Sequence, residues 1–265
     1  MSPMLIKTPE EIEKMRIAGH LTSKVLEAVA SIIKPGITTA EIDVFCERYI
    51  VDTLQAIPGS KGQYGYPYCV NTSVNKVVCH GMPSSTQVLE NGDIVNVDVT
   101  VIKDGYYGDS SKTFSVGKVA PHAQRLVEVT QQCLYEGIKA VKPDATLGDI
   151  GHAIQTHAEV NGYSVVREYC GHGIGKLMHE EPQVLHYGFP GKGLKLQPGM
   201  TFTIEPMINQ GKAAIKSITR NNWTIAVTAD RRLSAQWEHT ILVTETGFEI
   251  LTLREEEKET VKNLF

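Results

Sequence analysis

The stretch from Ile94 to Val101 alternates. Val95, Val97, Val99 and Val101 fall on one face of a strand, and Asn96, Asp98 and Thr100 fall on the other. Lys103-Asp104-Gly105 is a turn signal, and a second strand-like run follows from Tyr106 to Val116. With Asp104-Gly105 as a two-residue turn, Lys103 pairs with Tyr106, Asp98 with Ser111 and Thr100 with Asp109. Asp98 and Asp109 then lie diagonally on one face, about 7–8 Å apart at Cα. Two carboxylates on rigid strands repel unless something positive sits between them. The plain alternative is a solvated sheet face with two incidental acids.

Helical spacing governs the N-terminal third. Thr8-Pro9-Glu10-Glu11 reads as a capping box with Pro at the first helical position, and Ile12, Met15, Ala18, Leu21, Val25, Val29 and Ile32 follow at helical intervals. Lys34-Pro35-Gly36 stops that helix, and Thr38-Thr39-Ala40-Glu41 opens another that runs to about Gln55. A loop rich in Gly, Pro and Tyr (57–68) precedes a short strand at 70–78. A further helix is predicted from Pro121 to Val141. A strand is predicted over 233–244, with Gln236, Glu238 and Thr240 on one face.

The pattern then returns. The segment 33–42 resembles 141–150, and 89–98 resembles 196–205, at displacements of 108 and 107 residues. Two segments at nearly one displacement argue for an internal duplication. They predict one catalytic domain over 1–265, built from α+β halves of about 1–118 and 119–265 around a pseudo-twofold axis. The repeat maps Asp98 onto Glu205 and makes Glu238 the counterpart of Asp109. Four carboxylates then converge on strands, which weakens the solvated-face alternative.

Composition narrows the setting. The chain has 265 residues, 42% hydrophobic and 21% charged, with a net charge of −4, which gives no electrostatic case for nucleic acid or an anionic membrane. No apolar run is long enough to span a bilayer, and the first residues contain no signal-peptide core. Five cysteines without CxxC spacing read as reduced thiols of a cytoplasmic protein.

Among the histidines, His172 lies between glycines in Cys170-Gly171-His172-Gly173-Ile174-Gly175, which leaves the imidazole unobstructed. The stretch lacks the P-loop Lys-Ser/Thr and the dinucleotide fingerprint. His179 begins His179-Glu180-Glu181-Pro182, which is not HExxH, and His80 precedes Gly81. His20, His122, His152, His157 and His186 are left as surface or core residues. Four carboxylates and an imidazole form an oxygen-rich set. It suits two bridged divalent ions such as Mn, Fe or Co, and a centre that yields hydroxide near neutral pH.

These motifs carry a resemblance. Asn96-Val97-Asp98, Gly108-Asp109, the His172 and His179 segments, Phe202-Thr203-Ile204-Glu205-Pro206 and Glu238-His239-Thr240 stand in the order and spacing of type I methionine aminopeptidases of bacterial form. The resemblance runs over nearly the whole chain. It implies the pita-bread fold and removal of N-terminal methionine from nascent proteins when the second residue is small, by attack of a metal-bridging hydroxide on the first peptide bond. It implies that Asp98, Asp109, His172, Glu205 and Glu238 bind two divalent ions (Co, Mn, Fe or Zn), with Asp109 and Glu238 bridging. Glu205 would also handle the proton of the attacking water, His179 would stabilise the oxyanion, and His80 would contact the substrate amide. Tyr66, Met178 and Trp223 would line the methionine pocket, with Met207 better explained as core. Asn75, Val77 and Ser234 would hold one structural Na or K ion.

The chain departs from the usual bacterial pattern at Ser60 and Asn71, two pocket positions that are often Cys, and at Gln63, which replaces a loop Tyr. Asn71 brings an amide that needs a hydrogen bond if buried. The resemblance further implies a monomer in transient contact with the ribosome. The rival readings are an X-Pro aminopeptidase or prolidase, which usually carries a sizeable N-terminal domain, and a non-catalytic pita-bread binding module, which typically loses metal ligands.

Overall fold

Both predicted capping boxes form. Thr8 Oγ1 accepts the Glu11 N–H while the Glu11 carboxylate accepts the Thr8 N–H, and helix α1 (Pro9–Val29) follows. Thr38 and Glu41 repeat the arrangement at the head of α2 (Thr39–Arg48). The predicted extension to Gln55 instead passes into a π-helical turn, Tyr49–Thr53. Pro121 starts α3 (Pro121–Lys139), and a third capping box, Thr146 with Asp149, starts α4 (Leu147–Val160). The computed structural model describes residues 6–264.

The strands Ile94–Lys103 and Tyr106–Ser115 pair in the predicted register, with Asp98 opposite Ser111 and Thr100 opposite Asp109. Asp104 and Gly105 close the turn with φ of 50° and 79°, as a tight hairpin turn requires. Val95, Val97, Val99 and Val101 are fully buried against a core that includes Val25, Leu26, Ile42 and Cys46 of α1 and α2. Helix α1 crosses this hairpin so closely that a Cβ on Gly108 would come within 2.6 Å of the Ala18 backbone. The predicted strand 70–78 breaks at Asn75 (φ 55°) into Val70–Val74 and Val77–Cys79. The first joins the hairpin and sets Asn71 directly opposite Asp98. The second pairs with the hairpin strand Trp223–Thr228.

A five-stranded antiparallel sheet lies opposite. Its centre is Thr201–Ile204, flanked by His239–Val243 on one side and Gly171–Gly173 on the other. The continuous strand expected over 233–244 is two strands. Ser234–Gln236 pairs with Met207–Asn209, His239–Val243 pairs with Thr201–Ile204, and the chain crosses between sheets at Trp237-Glu238. The cause is a competing partner. Glu238 N–H donates to Ser111 O (3.0 Å), and Ser110 Oγ donates to Glu238 O (2.6 Å), so this residue is held by the first hairpin.

The repeated segments make repeated contacts. Gly36 N–H donates to Leu89 O and Leu89 N–H to Ile37 O. About 107 residues later Asp144 N–H donates to Leu196 O and Leu196 N–H to Ala145 O. Gly36 and Asp144 share a left-handed φ (93° and 67°), as do Gly92 and Gly199 (103° and 88°). Among the described residues the core divides the same way. One large cluster is built from residues 25–116, and the other draws all but Ile94 from residues 123–243. Among the described residues no helix is long and apolar enough to cross a membrane.

Candidate metal centre and substrate cavity

Three of the candidate ligands are fixed through their neighbours. Asp109 Oδ1 accepts from Thr100 Oγ1 (2.9 Å), its cross-strand partner, and its backbone N–H and C=O both bond Thr240 Oγ1 (3.1 and 2.8 Å). Glu205 follows the end of Thr201–Ile204. Its carboxylate accepts from Thr203 Oγ1 (2.8 Å) and Gln236 Nε2 (3.2 Å), and its backbone N–H donates to Nε2 of fully buried His186 (3.1 Å). His172 Nδ1 lies 3.0 Å from Gly173 O, so Nδ1–H donates there. That leaves the Nε2 lone pair facing Glu205 Oε1 (3.6 Å) and Asp109 Oδ2 (3.8 Å). Donor atoms of Asp109, His172 and Glu238 lie within 4.8 Å of one another.

The electrostatics call for a cation. Burial raises the pKa of Asp98, Asp109, Glu205 and Glu238, and repulsion from Asp109 adds to the rise at the other three. Burial and the neighbouring His179 lower His172 to about 3, so it is a neutral lone-pair donor. Among the described residues no Lys or Arg lines the cavity. An anionic oxygen set with one neutral imidazole and no basic side chain fits divalent metal.

The centre forms the floor of a cavity of about 610 Å³. His179 packs edge-on to His172 at 4.4 Å, and the Tyr64 hydroxyl lies 3.3 Å from His179 Nδ1. His80 adopts a left-handed φ of 60°, and its ring stands edge-on to Tyr169 at 5.0 Å. Burial lowers the pKa of both His80 (to about 4) and His179, so each is neutral near pH 7. Tyr66 and Trp223 pack with ring centroids 4.3 Å apart and planes tilted by 35°, with the Tyr66 hydroxyl donating to Val70 O and the Trp223 indole to His80 O (2.9 Å each). Met178 completes this wall, together with Ser60, Gln63 and Asn71. Met207 belongs to a core cluster with Val78 and Cys79 and also borders the cavity. Away from the cavity, Ser234 N–H donates to Asn75 O (2.9 Å), so the segments carrying Asn75, Val77 and Ser234 meet.

Several contributors were not singled out from the sequence. Tyr64 has a weak signal, lying between two glycines of positive φ, Gly62 and Gly65. Thr203 shares a strand face with Glu205, which it bonds, so alternation could have found it, as it did place Thr100 opposite Asp109. His186 has no local signal, because its role depends on a backbone N–H in another segment.

A buried acidic floor beside neutral histidines is the working part of a metal-dependent hydrolase. The family model described as metallopeptidase family M24 matches residues 13–245. A methionine aminopeptidase of Salmonella typhimurium is 58% identical over 252 residues, 95% of each chain. The crystal structure of methionine aminopeptidase from Rickettsia prowazekii aligns with a TM-score of 0.91 at 48% identity, over 94% of this chain and 99% of that one. Prolidase from Pyrococcus furiosus shares the fold alone, with a TM-score of 0.76 at 23% identity over 95% of this chain and 66% of that one. The chain belongs to metallopeptidase family M24, in its methionine aminopeptidase branch, and its fold is the pita-bread fold expected from the sequence. A divalent metal requirement comes with the family.

Proposed function

We propose that this protein removes the N-terminal methionine from polypeptides whose second residue is small, using two divalent cations held by Asp98, Asp109, His172, Glu205 and Glu238. The observation that carries the reading is the convergence of Asp109, His172 and Glu238 donors within 4.8 Å, beside a cavity walled by Tyr66, Met178 and Trp223. Co, Mn, Fe and Zn all suit the donor set. When bound, the cations supply Lewis-acid activation of a water and an anchor for the free amine of the substrate.

The chain's own groups do the rest. Glu205, with its carboxylate braced by Thr203 and Gln236, takes the proton of the attacking water and returns it to the leaving nitrogen. Neutral His179, with Nδ1 facing the Tyr64 hydroxyl, presents Nε2–H to the scissile carbonyl oxygen and stabilises the developing oxyanion. His80 approaches the peptide nitrogen, its backbone held by Trp223. Tyr66, Met178, Trp223, Ser60 and Asn71 receive the first side chain. Asn75, Val77 and Ser234 would hold a structural Na or K ion. The halves 1–118 and 119–265 descend from one duplicated unit, which the paired contacts at Leu89 and Leu196 support. We place the enzyme in the cytoplasm as a monomer that meets nascent chains in transient contact with the ribosome.

The test is hydrolysis of Met-Ala-Ser, Met-Lys-Ser, Leu-Ala-Ser and Ala-Pro-Ser with Co²⁺ or Mn²⁺, then with EDTA. Metal-dependent release of methionine from Met-Ala-Ser alone is expected. Cleavage of Ala-Pro-Ser would move the activity to the X-Pro class. No cleavage despite bound metal would leave a binding module.

A further inference from the structure

Two amide oxygens of the cavity lining, Asn71 Oδ1 and Gln236 Oε1, have no hydrogen-bond partner among the described residues. The Ser60 hydroxyl donates to Thr100 Oγ1 (3.1 Å), which in turn donates to Asp109 Oδ1 (2.9 Å). The Tyr66 hydroxyl and the Trp223 indole donate to backbone carbonyls, and Gln63 Nε2 donates to the Tyr107 hydroxyl (3.0 Å). Gln236 is held through its Nε2, which donates to Glu205 Oε2 (3.2 Å), and Asn71 has no such anchor among the described residues. Asn71 lines the same cavity at 5% exposure. Its strand position is directly opposite Asp98, so its side chain stands on the face that carries the metal ligands. A buried amide left unpaired is costly, and a ligand group that meets it gains what the protein does not supply.

We propose that Asn71 lets the cavity accept, besides methionine, an unbranched first side chain of similar length that ends in a hydrogen-bonding group. Glutamine and methionine sulfoxide are the two such side chains to test. The inference rests on the reading of this cavity as the seat of the N-terminal side chain. As the amide stands, Oδ1 is sealed from solvent, and the N–H end is the one that a sulfoxide oxygen or the glutamine carbonyl would meet. The glutamine N–H reaches Oδ1 only with the Asn71 amide turned over so that its oxygen faces the cavity. The Ser60 hydroxyl directs its proton toward Thr100, so its lone pairs remain available as a second acceptor for the glutamine amide.

The experiment compares kcat/KM for Met-Ala-Ser, Gln-Ala-Ser, Met(O)-Ala-Ser and norleucyl-Ala-Ser on the Mn²⁺-loaded full chain. Norleucine has the length without the hydrogen-bonding group. Wild type, Asn71→Cys and Asn71→Ala are assayed together. Wild type is expected to cleave at least one polar peptide, and both substitutions are expected to lower the polar-to-norleucyl ratio by about tenfold, the worth of one hydrogen bond. Cleavage of Gln-Ala-Ser alone assigns the acceptor end of the amide to the cavity, and cleavage of Met(O)-Ala-Ser alone assigns the donor end. A ratio unchanged by either substitution overturns the proposal. So does rejection of both polar peptides by wild type, a result that stands even if the variants fail to fold. Failure on Met-Ala-Ser itself would instead sink the functional reading, so the two failures are distinguishable.

Discussion

The floor of the cavity and its outer wall are built by different means. The carboxylates of the floor project from paired strands or from residues adjoining them, and Asp109 and Glu238 are buried at 3% and 2% exposure. The wall over His179 is a loop, 59–66, whose Tyr64 is 76% exposed and held by a left-handed backbone. The difference separates chemistry from selection. The candidate ligands that share a charge are fixed on paired strands or beside them, and Tyr64, which stands at the rim beside His179, is carried by a loop.

Breaking the floor has the largest expected effect. Asp109→Asn or Glu238→Gln should lower divalent-metal affinity by more than about 100-fold and remove activity with it, read by calorimetric titration and metal analysis. His179→Ala tests the boundary between floor and wall. It should cut kcat by about 10²–10³ while bound metal stays unchanged, because it deletes an oxyanion donor and no ligand.

A third measurement needs no substitution. Burial raises the folded-state pKa of Asp98, Asp109, Glu205 and Glu238, so the metal-stripped fold holds more protons than the unfolded chain. Its stability must then fall as pH rises above about 4 and on through the raised values. Bound divalent cation compensates the ionised acids. The gap in Tm between loaded and stripped protein should therefore widen from about pH 5.5 to about pH 8, and a gap that narrows would show that the floor does not carry this charge. Tyr64→Phe is the smallest change. It removes one exposed hydrogen bond to His179 and should alter kcat/KM by less than about tenfold without affecting metal content.

The first hairpin was legible residue by residue, because period-two alternation and an Asp-Gly turn are local signals that fix register. The strand leading to Glu205 was legible only through the repeat. Glu238 came from alternation over 233–244, which also predicted an unbroken strand. The break at Trp237-Glu238 is set by Ser110 and Ser111, more than 120 residues earlier, and no local pattern encodes such a partner. Tyr64 was missed for the same reason, since its partner His179 lies 115 residues away. Asn71 was legible as a departure from the family pattern. That its amide Oδ1 is buried and unpaired is visible only in the folded chain.

The crossing of Glu238 onto the first hairpin also bears on assembly. Neither residues 94–115 nor residues 201–243 contain the whole ligand set, and the two are stitched together at the ligands themselves. With the proposed ligand set, metal is held only where the two segments have docked. A partly folded chain holds no peptidase. An enzyme whose targets are exposed chain termini is thereby silent until its own chain is no longer one of them.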